Sequence, residues 1–469
     1  MEYSASNTQL WGIIIQFGII AAAILIGNVL RRKIPFIRKG LTPTAVIAGF
    51  LLLILKSAGI LPYDENFRRV LEIATYHGIA IGFIALSLRT RKAEEKGGQM
   101  VASKSGALIV SCYLFQAVLG LGIATALAYT VMPDLFIASG ILLPMGYGQG
   151  TGQANNVGLT YEHSFGFAGG QSFGLALAAA GYVCACIIGV IYLNIIAKKK
   201  QIKRMSPEEM SGSVTVDTFQ DENEIPVSES IDKFSIQTAL VLLVYLITYL
   251  VTRGITSLLE KVAPGVSATI SPLLWGFNFI VGSMLALATK AILSLFRKGK
   301  VMTRQYQNNY LLSRISGFAF DLMIIAGILL IDFNDLAGLW LPFSIMAVLG
   351  GILTLFYLQI LCRKIYPNYY YEGLVSMYGM MTGTISSGVL LLREIDPDLK
   401  TPAANNLVTG SSTAIVFGAP LLIIIGIAPK PGMLFISLGI IIAYWALLLA
   451  FIYLAGNKNK KKATTGLTK

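Results

Sequence analysis

The chain has 469 residues, of which 55% are hydrophobic and only 13% charged, whereas a typical soluble domain carries about 25% charged residues. That balance excludes a soluble globular protein and defines an integral membrane protein. The net charge of +13 does not indicate a nucleic-acid partner, because Lys and Arg form short clusters beside apolar segments, where anionic lipid headgroups meet them.

The stretch Met1–Asn7 lacks the basic region of a secretory signal, and the apolar run behind it is long enough to cross a bilayer, which takes about 20 residues. It is expected to remain as the first span, Leu10 to Leu30. Further spans are predicted at Leu41 to Leu61, Ile73 to Leu88, Gly106 to Leu127 and Phe165 to Ile196. After a polar break come Phe234 to Val251, Ile270 to Phe296, Ile315 to Ile331, Leu339 to Cys362, Thr401 to Ile427 and Met433 to Ala455. Cys112, Cys184, Cys186 and Cys362 all fall inside these apolar segments; with no second Cys pair or neighbouring His they read as small packing residues, not metal ligands.

Basic clusters set the orientation. Arg31, Arg32, Lys33, Arg38 and Lys39 follow the first span; Arg89, Arg91, Lys92 and Lys96 follow the third; Lys198, Lys199, Lys200, Lys203 and Arg204 follow the fifth. Loops rich in Lys and Arg stay cytoplasmic, so the N-terminus is expected outside. Arg297, Lys298 and Lys300, then Arg363 and Lys364, then Lys458 and Lys460 to Lys462 keep the phase and place the C-terminus in the cytoplasm. The acidic, Pro-containing segment from Gln201 to Asp232 has no apolar periodicity and reads as a flexible cytoplasmic tether.

An odd number of spans before that tether starts the second half on the opposite membrane face. The predicted architecture is therefore all-α: two inverted five-helix repeats, each with a re-entrant hairpin, plus a C-terminal helix, about 11 transmembrane helices in all. Residues 1–197 form the first repeat with a hairpin near 134–160, and 198–233 the linker. Residues 234–428 form the second repeat with a hairpin near 367–398, and 429–469 the last helix and basic tail.

Each hairpin is marked by a glycine-rich polar stretch. The first runs Gly146-Tyr147-Gly148-Gln149-Gly150-Thr151-Gly152-Gln153-Ala154-Asn155-Asn156; the second runs Gly379-Met380-Met381-Thr382-Gly383-Thr384-Ile385-Ser386-Ser387-Gly388. Both contain glycine, three residues, then Gly-Thr. Lipid cannot hydrogen-bond a backbone, so such stretches survive at membrane depth only where protein buries them or a watery cavity meets them. Interrupted elements at matching positions of inverted repeats point to the binding site of a secondary transporter.

Free backbone N–H groups at a hairpin tip suit a carboxylate, while free carbonyls and hydroxyls suit a sodium ion. Gly148, Gln149, Gly150, Thr151, Gly152, Gln153, Asn155 and Asn156 are the candidates in one tip, and Thr382, Gly383, Thr384, Ser386 and Ser387 in the other. Thr151 and Thr384 are the candidate sodium ligands. Mutual hydrogen bonding between the hairpins is the alternative role for each of these residues. Gln171 and Ser172, within Gly169-Gly170-Gln171-Ser172, parallel Thr409-Gly410-Ser411-Ser412-Thr413; ligand contact and helix packing both suit these two segments.

Thr401-Pro402 has the form of an N-cap followed by the one helical position that favours proline. Asp321 is the most interior acidic residue, placed to balance a cation or an ammonium group, or to cap a span entrance. Lys56 and His77 lie towards span ends, where snorkelling or headgroup contact is the ordinary role. Arg393 has three roles open to it: pairing with a substrate carboxylate, pairing with Glu394, Asp396 or Asp398, or simple exposure in the cytoplasm.

The segments Gly148-Gln149-Gly150-Thr151-Gly152, Phe165-Gly166-Phe167-Ala168-Gly169-Gly170 and Leu175 to Gly181, with Gly189 further on, resemble the sodium/glutamate symporter family. The resemblance extends loosely along nearly the whole chain and is sharp only there and around Gly379 to Ser387. It implies a sodium-coupled importer of glutamate or a related small organic anion, with paired hairpins meeting at the midplane. The second hairpin departs from the best-known members in being less glycine-rich, and the linker in being longer.

An uncoupled channel would show a continuous polar stripe or charged ring, and a sodium-translocating subunit of a membrane enzyme would need a convergent catalytic set that His77 and His163 alone do not supply. The chain is therefore expected not to be an enzyme and to use no cofactor, with sodium as its coupling ion. Its expected partners are a small anionic substrate, sodium, the lipid bilayer and a second copy of itself in a homodimer, in the plasma membrane.

Overall fold

The structure is a computed structural model that describes residues 8–35, 37, 41–90, 98–200, 227–302, 307–396 and 401–455. Every regular element among them is a helix. Most of the linker expected at 198–233 lies outside the described residues, as do Arg38, Lys39, Arg91, Lys92, Lys96, Lys203, Arg204, Lys458 and Lys460 to Lys462 of the basic clusters.

In chain order the helices are α1 (Thr8–Lys33), α2 (Thr44–Ser57), α3 (Glu65–Leu88), α4 (Gly98–Ala128), a 3-10 turn (Ile137–Ile141) leading into α5 (Leu142–Tyr147), α6 (Thr151–Phe165) and α7 (Gly170–Lys200). Then come α8 (Val227–Val262), α9 (Pro264–Gly276), α10 (Asn278–Lys298), α11 (Asn309–Leu330) and α12 (Trp340–Ile365). The last five are α13 (Tyr370–Thr382), α14 (Ile385–Arg393), α15 (Ala403–Gly418), α16 (Leu421–Ile427) and α17 (Leu434–Leu454).

Nine helices among the described residues are long and apolar enough to cross a membrane, or ten if α15 and α16, bent by 52° at their junction, form one span. The bend sits at Ala419-Pro420, where proline removes a backbone donor and clashes with the preceding turn. The eleventh expected segment, Leu41 to Leu61, contains only the 14-residue α2, about 21 Å of helix against a hydrocarbon core of about 30 Å. The segment expected from Phe165 divides because Gly166 and Gly169 take positive φ (72° and 74°), a conformation that ends α6 before α7 begins. The span expected from Ile270 starts at Asn278 instead, after α9 stops at Gly276.

Two sets of helices pack mainly among themselves. One comprises α1, α2, α3, α8, α9, α10 and α11; the other comprises α4, α5–α6, α7, α12, α13–α14, α15–α16 and α17. They meet where α6 touches α3, α9 and α11, and where α15 and α16 touch α3, α9 and α10.

At the centre of the first set α3 packs along α11. Each has a side-chain N-cap: Asp64 accepts from the Phe67 N–H at 2.7 Å, and Asn308 from the Leu311 N–H at 3.0 Å. The pair is antiparallel, since Thr90, just past the end of α3, exchanges hydrogen bonds of 2.8 and 2.7 Å with Asn309 at the start of α11.

One further helix packs on each member of this pair, α2 on α11 and α10 on α3. Each carries a lysine that satisfies the terminal carbonyls of the helix beneath it. Lys56 Nζ donates to Leu329 O (3.2 Å) and Ile331 O (3.1 Å), and Lys290 Nζ to Ser87 O (3.0 Å) and Arg89 O (3.2 Å). A cation at a helix C-terminus meets both orphan acceptors and the negative end of the dipole. Lys56 also sits over the Tyr63 ring at 4.1 Å; its role here is the capping of α11.

Candidate functional site

Both polar stretches form a helix, a short break and a second helix. In the first, α5 ends at Tyr147 and α6 starts at Thr151, joined through Gly150 at φ +83°. An L-residue is strained at that angle. In the second, α13 ends at Thr382 and α14 starts at Ile385. The two arms of the second lie side by side, since a Cβ on Gly379 would come within 2.8 Å of the Gly388 Cα.

The two breaks meet inside the molecule. A Cβ on Gly150 would lie 3.9 Å from the Gly383 carbonyl oxygen and 3.2 Å from the Tyr182 hydroxyl, and the Thr382 carbonyl presses on Gly181 of α7. Beside this junction is a cavity of about 80 Å³, enough for several water molecules. Gly148, Gln149, Gly383 and Thr384 supply its tip wall, with Tyr113 of α4. Phe83, Phe277, Phe279 and Phe320 face them from the other set of helices, and Met380, Ser411, Ile415 and Ile425 are among the residues that close the sides. The cavity thus lies where the two sets join.

The predicted site residues divide into groups. Gly148, Gln149, Gly383 and Thr384 line the cavity. Gly150 forms the junction. Thr151 is fully buried; its hydroxyl donates to Met323 O of α11 at 3.2 Å, which leaves its lone pairs as acceptors. Gly152 packs against Ile79 and Met323. Thr382 donates to Tyr378 O at 2.8 Å within its own helix. Thr384 caps α14, accepting from the Ser387 N–H at 3.3 Å, with the Ser387 hydroxyl 3.4 Å away. Ser386 falls in the first turn of α14, and its side chain lies outside the described residues.

Asn155, Asn156, Gln171 and Ser172 are brought together elsewhere, around the second turn of α6 and the start of α7. Gln171 Nε2 donates to Asn155 Oδ1 at 2.8 Å, and Gln171 Oε1 accepts from Arg68 at 3.2 Å. Arg68 in turn pairs with Glu72 at 3.2 Å. Asn156 Nδ2 donates to Gly276 O at 2.8 Å, the carbonyl exposed where α9 breaks into α10. Ser172 donates to Asp335 at 2.9 Å. This network ties α6 and α7 to α3, α9 and the end of α11, and none of its residues lines the cavity.

Gln153 stands apart. It is fully buried, and neither amide atom has a hydrogen-bond partner, a demand that folded proteins rarely leave unmet. Asp321 lies mid-way along α11, partly buried, next to Phe320 of the cavity wall; a mid-helix position removes the capping role. Arg393 is exposed at the end of α14. The Thr401 hydroxyl does not cap α15, whose first residue is Ala403; its backbone N–H donates to Asp396 at 2.9 Å instead.

Sequence reasoning missed the wall. Tyr113 lies directly on Gly148. Gln116, one turn further on, donates to Thr354 and to the Met381 carbonyl of α13, both at 3.0 Å. Tyr182 of α7 brings its hydroxyl to Gly150 and Thr151. Gln116 was the findable one, a lone amide in an apolar span. A second cavity of about 300 Å³, around His77, Tyr245 and Asn278 between α3, α8 and the α9–α10 break, touches neither tip; there His77 Nδ1 and the Tyr245 hydroxyl are 2.6 Å apart.

A multi-pass helical membrane protein in which two interrupted helix pairs meet at an internal cavity has the form of a secondary transporter. The chain belongs to the sodium/glutamate symporter family, which matches residues 12–385, covering the first tip and the second as far as Ile385. No curated protein matches the chain.

Proposed function

We propose that the protein is a secondary active transporter that brings glutamate or a related small organic anion into the cell with sodium. The observation that carries this reading is the meeting of the two breaks, at Gly150 and Gly383, beside a cavity shared by two sets of helices. The anion is held by the Gln149 amide, the Tyr113 hydroxyl and the Ile385 and Ser386 N–H groups at the start of α14, which have no acceptor within the helix. Sodium is held nearby by oxygens around Thr151, with the Tyr182 hydroxyl and the Asp321 carboxylate as the groups of matching chemistry; Thr384, whose hydroxyl already caps α14, contributes at the second tip.

The inverted-repeat architecture is part of the same proposal. It is supported by the matching packing of α2 on α11 and of α10 on α3, and by Lys56 and Lys290 capping opposite ends of one antiparallel pair. In this arrangement the two tips enter from opposite membrane faces, with the N-terminus outside and the C-terminus in the cytoplasm. Reconstitution tests the function: sodium-gradient-driven uptake of a labelled amino acid or carboxylate into proteoliposomes supports it, and uptake indifferent to sodium across a broad panel overturns it.

A further inference from the structure

The second cavity shares a wall with the first. Trp275 and Asn278 line the cavity of about 300 Å³, while Phe277 and Phe279 of the same stretch line the one at the tips. The Gly276 carbonyl, within that stretch, accepts from Asn156 of α6 at 2.8 Å. The α9–α10 break is therefore a partition with one side on each cavity, fastened to the helix that begins at the first tip.

His77 is the polar centre of the second cavity. It is exposed about midway along α3, roughly 17 Å of helix from either end, where hydrocarbon offers no hydrogen bond. Asn278 Nδ2 donates to the Tyr245 hydroxyl at 3.1 Å, and that hydroxyl meets His77 Nδ1 at 2.6 Å. His77 Nε2 has no partner among the described residues. An ionisable side chain so placed marks a site. Nε2 donates or accepts according to how the chain of three groups shares its protons, and a hydroxyl group, which does both, meets it in either state.

The lining contains no Lys, Arg, Asp or Glu, so a carboxylate or phosphate would be buried unpaired. Leu242, Leu246 and Tyr249 line the cavity and are exposed on the membrane-spanning α8; the cavity thus opens on hydrocarbon. Its volume is in the range of small-molecule sites, about 300–1,000 Å³. We propose that this cavity binds a neutral, membrane-dissolved amphiphile with a hydroxyl group on an apolar body, and that its occupancy is felt at the substrate cavity through the shared partition. The site stands apart from the transport reading above; only its effect on uptake rests on that reading.

Photolabelling tests the site. The full chain in lipid nanodiscs is irradiated with 3-azioctanol, a photoreactive alcohol, and the adducts are mapped by mass spectrometry. Adducts are expected on the α3 and α8 peptides that carry Tyr76, His77 and Tyr245, suppressed by excess 1-octanol and little affected by octane at the same membrane concentration. His77→Phe should raise the protecting octanol concentration roughly three- to tenfold. Leu246→Trp, at an exposed position, should fill the cavity and abolish labelling. Adducts spread evenly over the lipid-facing helices, or equal protection by octane and octanol, overturn the site. Stronger protection by octyltrimethylammonium than by octanol overturns its neutral class.

Uptake tests the link. Octanol should shift the half-saturating glutamate concentration for sodium-driven uptake by about fivefold or more in the wild-type protein, and not in Leu246→Trp. An equal shift in both proteins, or none in either, overturns the link between the cavities. Absence of sodium-driven uptake under all conditions overturns the transport reading, and the labelling result still decides the site.

Discussion

Lys56 and Lys290 make the same pair of bonds at opposite ends of the antiparallel helices α3 and α11. Each lysine reaches from a neighbouring helix to two carbonyls separated by one residue, Leu329 and Ile331 in one case, Ser87 and Arg89 in the other. The two contacts fasten α2 to α11 and α10 to α3 by the same chemistry.

Replacing either lysine by methionine keeps the aliphatic stem and removes the charge. Each variant should lose about 2 kcal/mol, the scale of hydrogen bonds to a charged group, and the two losses should be of similar size. Thermal unfolding in detergent measures this. An unchanged midpoint for both variants would show that the carbonyls are equally well served by water.

Gln153→Leu discriminates a ligand group from a structural orphan. Removing a buried amide that has no partner should leave stability equal or higher, whereas a residue that meets sodium or substrate in the transport cycle is needed for uptake. The expected result is a retained or raised unfolding midpoint with uptake reduced at least about tenfold. Normal uptake would assign Gln153 no part in the cycle.

Thr151→Val keeps shape and removes a hydroxyl. If that oxygen coordinates sodium, the loss of about 1–3 kcal/mol raises half-saturating sodium roughly ten- to a hundredfold, while the substrate constant measured at saturating sodium changes little. Thr384→Val should act mainly through its cap, at about 1 kcal/mol of stability. A sodium shift in Thr384→Val with none in Thr151→Val would reverse the assignment.

The glycines at the junction should tolerate nothing larger. Gly181→Ala drives a methyl into the Thr382 carbonyl, and Gly150→Ala combines a positive φ with contact on the Tyr182 hydroxyl. Each should cost about 1–3 kcal/mol and abolish or sharply reduce uptake. Gly439→Ala in α17, where nothing lies within 4 Å, is the control and should be neutral or mildly stabilising. Equal behaviour of Gly439→Ala and Gly181→Ala in the uptake assay would refute a tight junction.

The orientation is open to chemistry. A cysteine placed between Gln201 and Asp232 should react with an impermeant reagent only from the cytoplasmic side, because the basic clusters retain their flanking loops there. Labelling of intact cells from outside would exclude opposed repeats.

The membrane class and both breaks were legible in the sequence because their signals are local. Apolar runs measure their own length, and the glycine-rich polar stretches at Gly150 and Gly383 stand out locally from the apolar helices around them. Long-range partners were not legible. Asn155 and Gln171 were grouped with the tip by proximity and type, yet Asn155 stands on the same face as Thr151 one turn further along α6, about 6 Å away, where it accepts from Gln171, which in turn accepts from Arg68. Phe83, Phe279 and Phe320 were indistinguishable from lipid-facing aromatics until α3, α10 and α11 were placed around the tips. Lys290 escaped notice although Lys56 did not, since nothing local relates a lysine to carbonyls about 200 residues away.

At the junction of the two breaks, main chain faces main chain: Gly150 lies beside the carbonyl of Gly383, and Gly181 beside that of Thr382. Interlocked side chains would have to change rotamer before such a seam parted, each step adding a barrier. Bare backbone has no rotamers to sort. In the proposed transport cycle, a joint of this kind is expected to part and reseat without a search through side-chain rotamers.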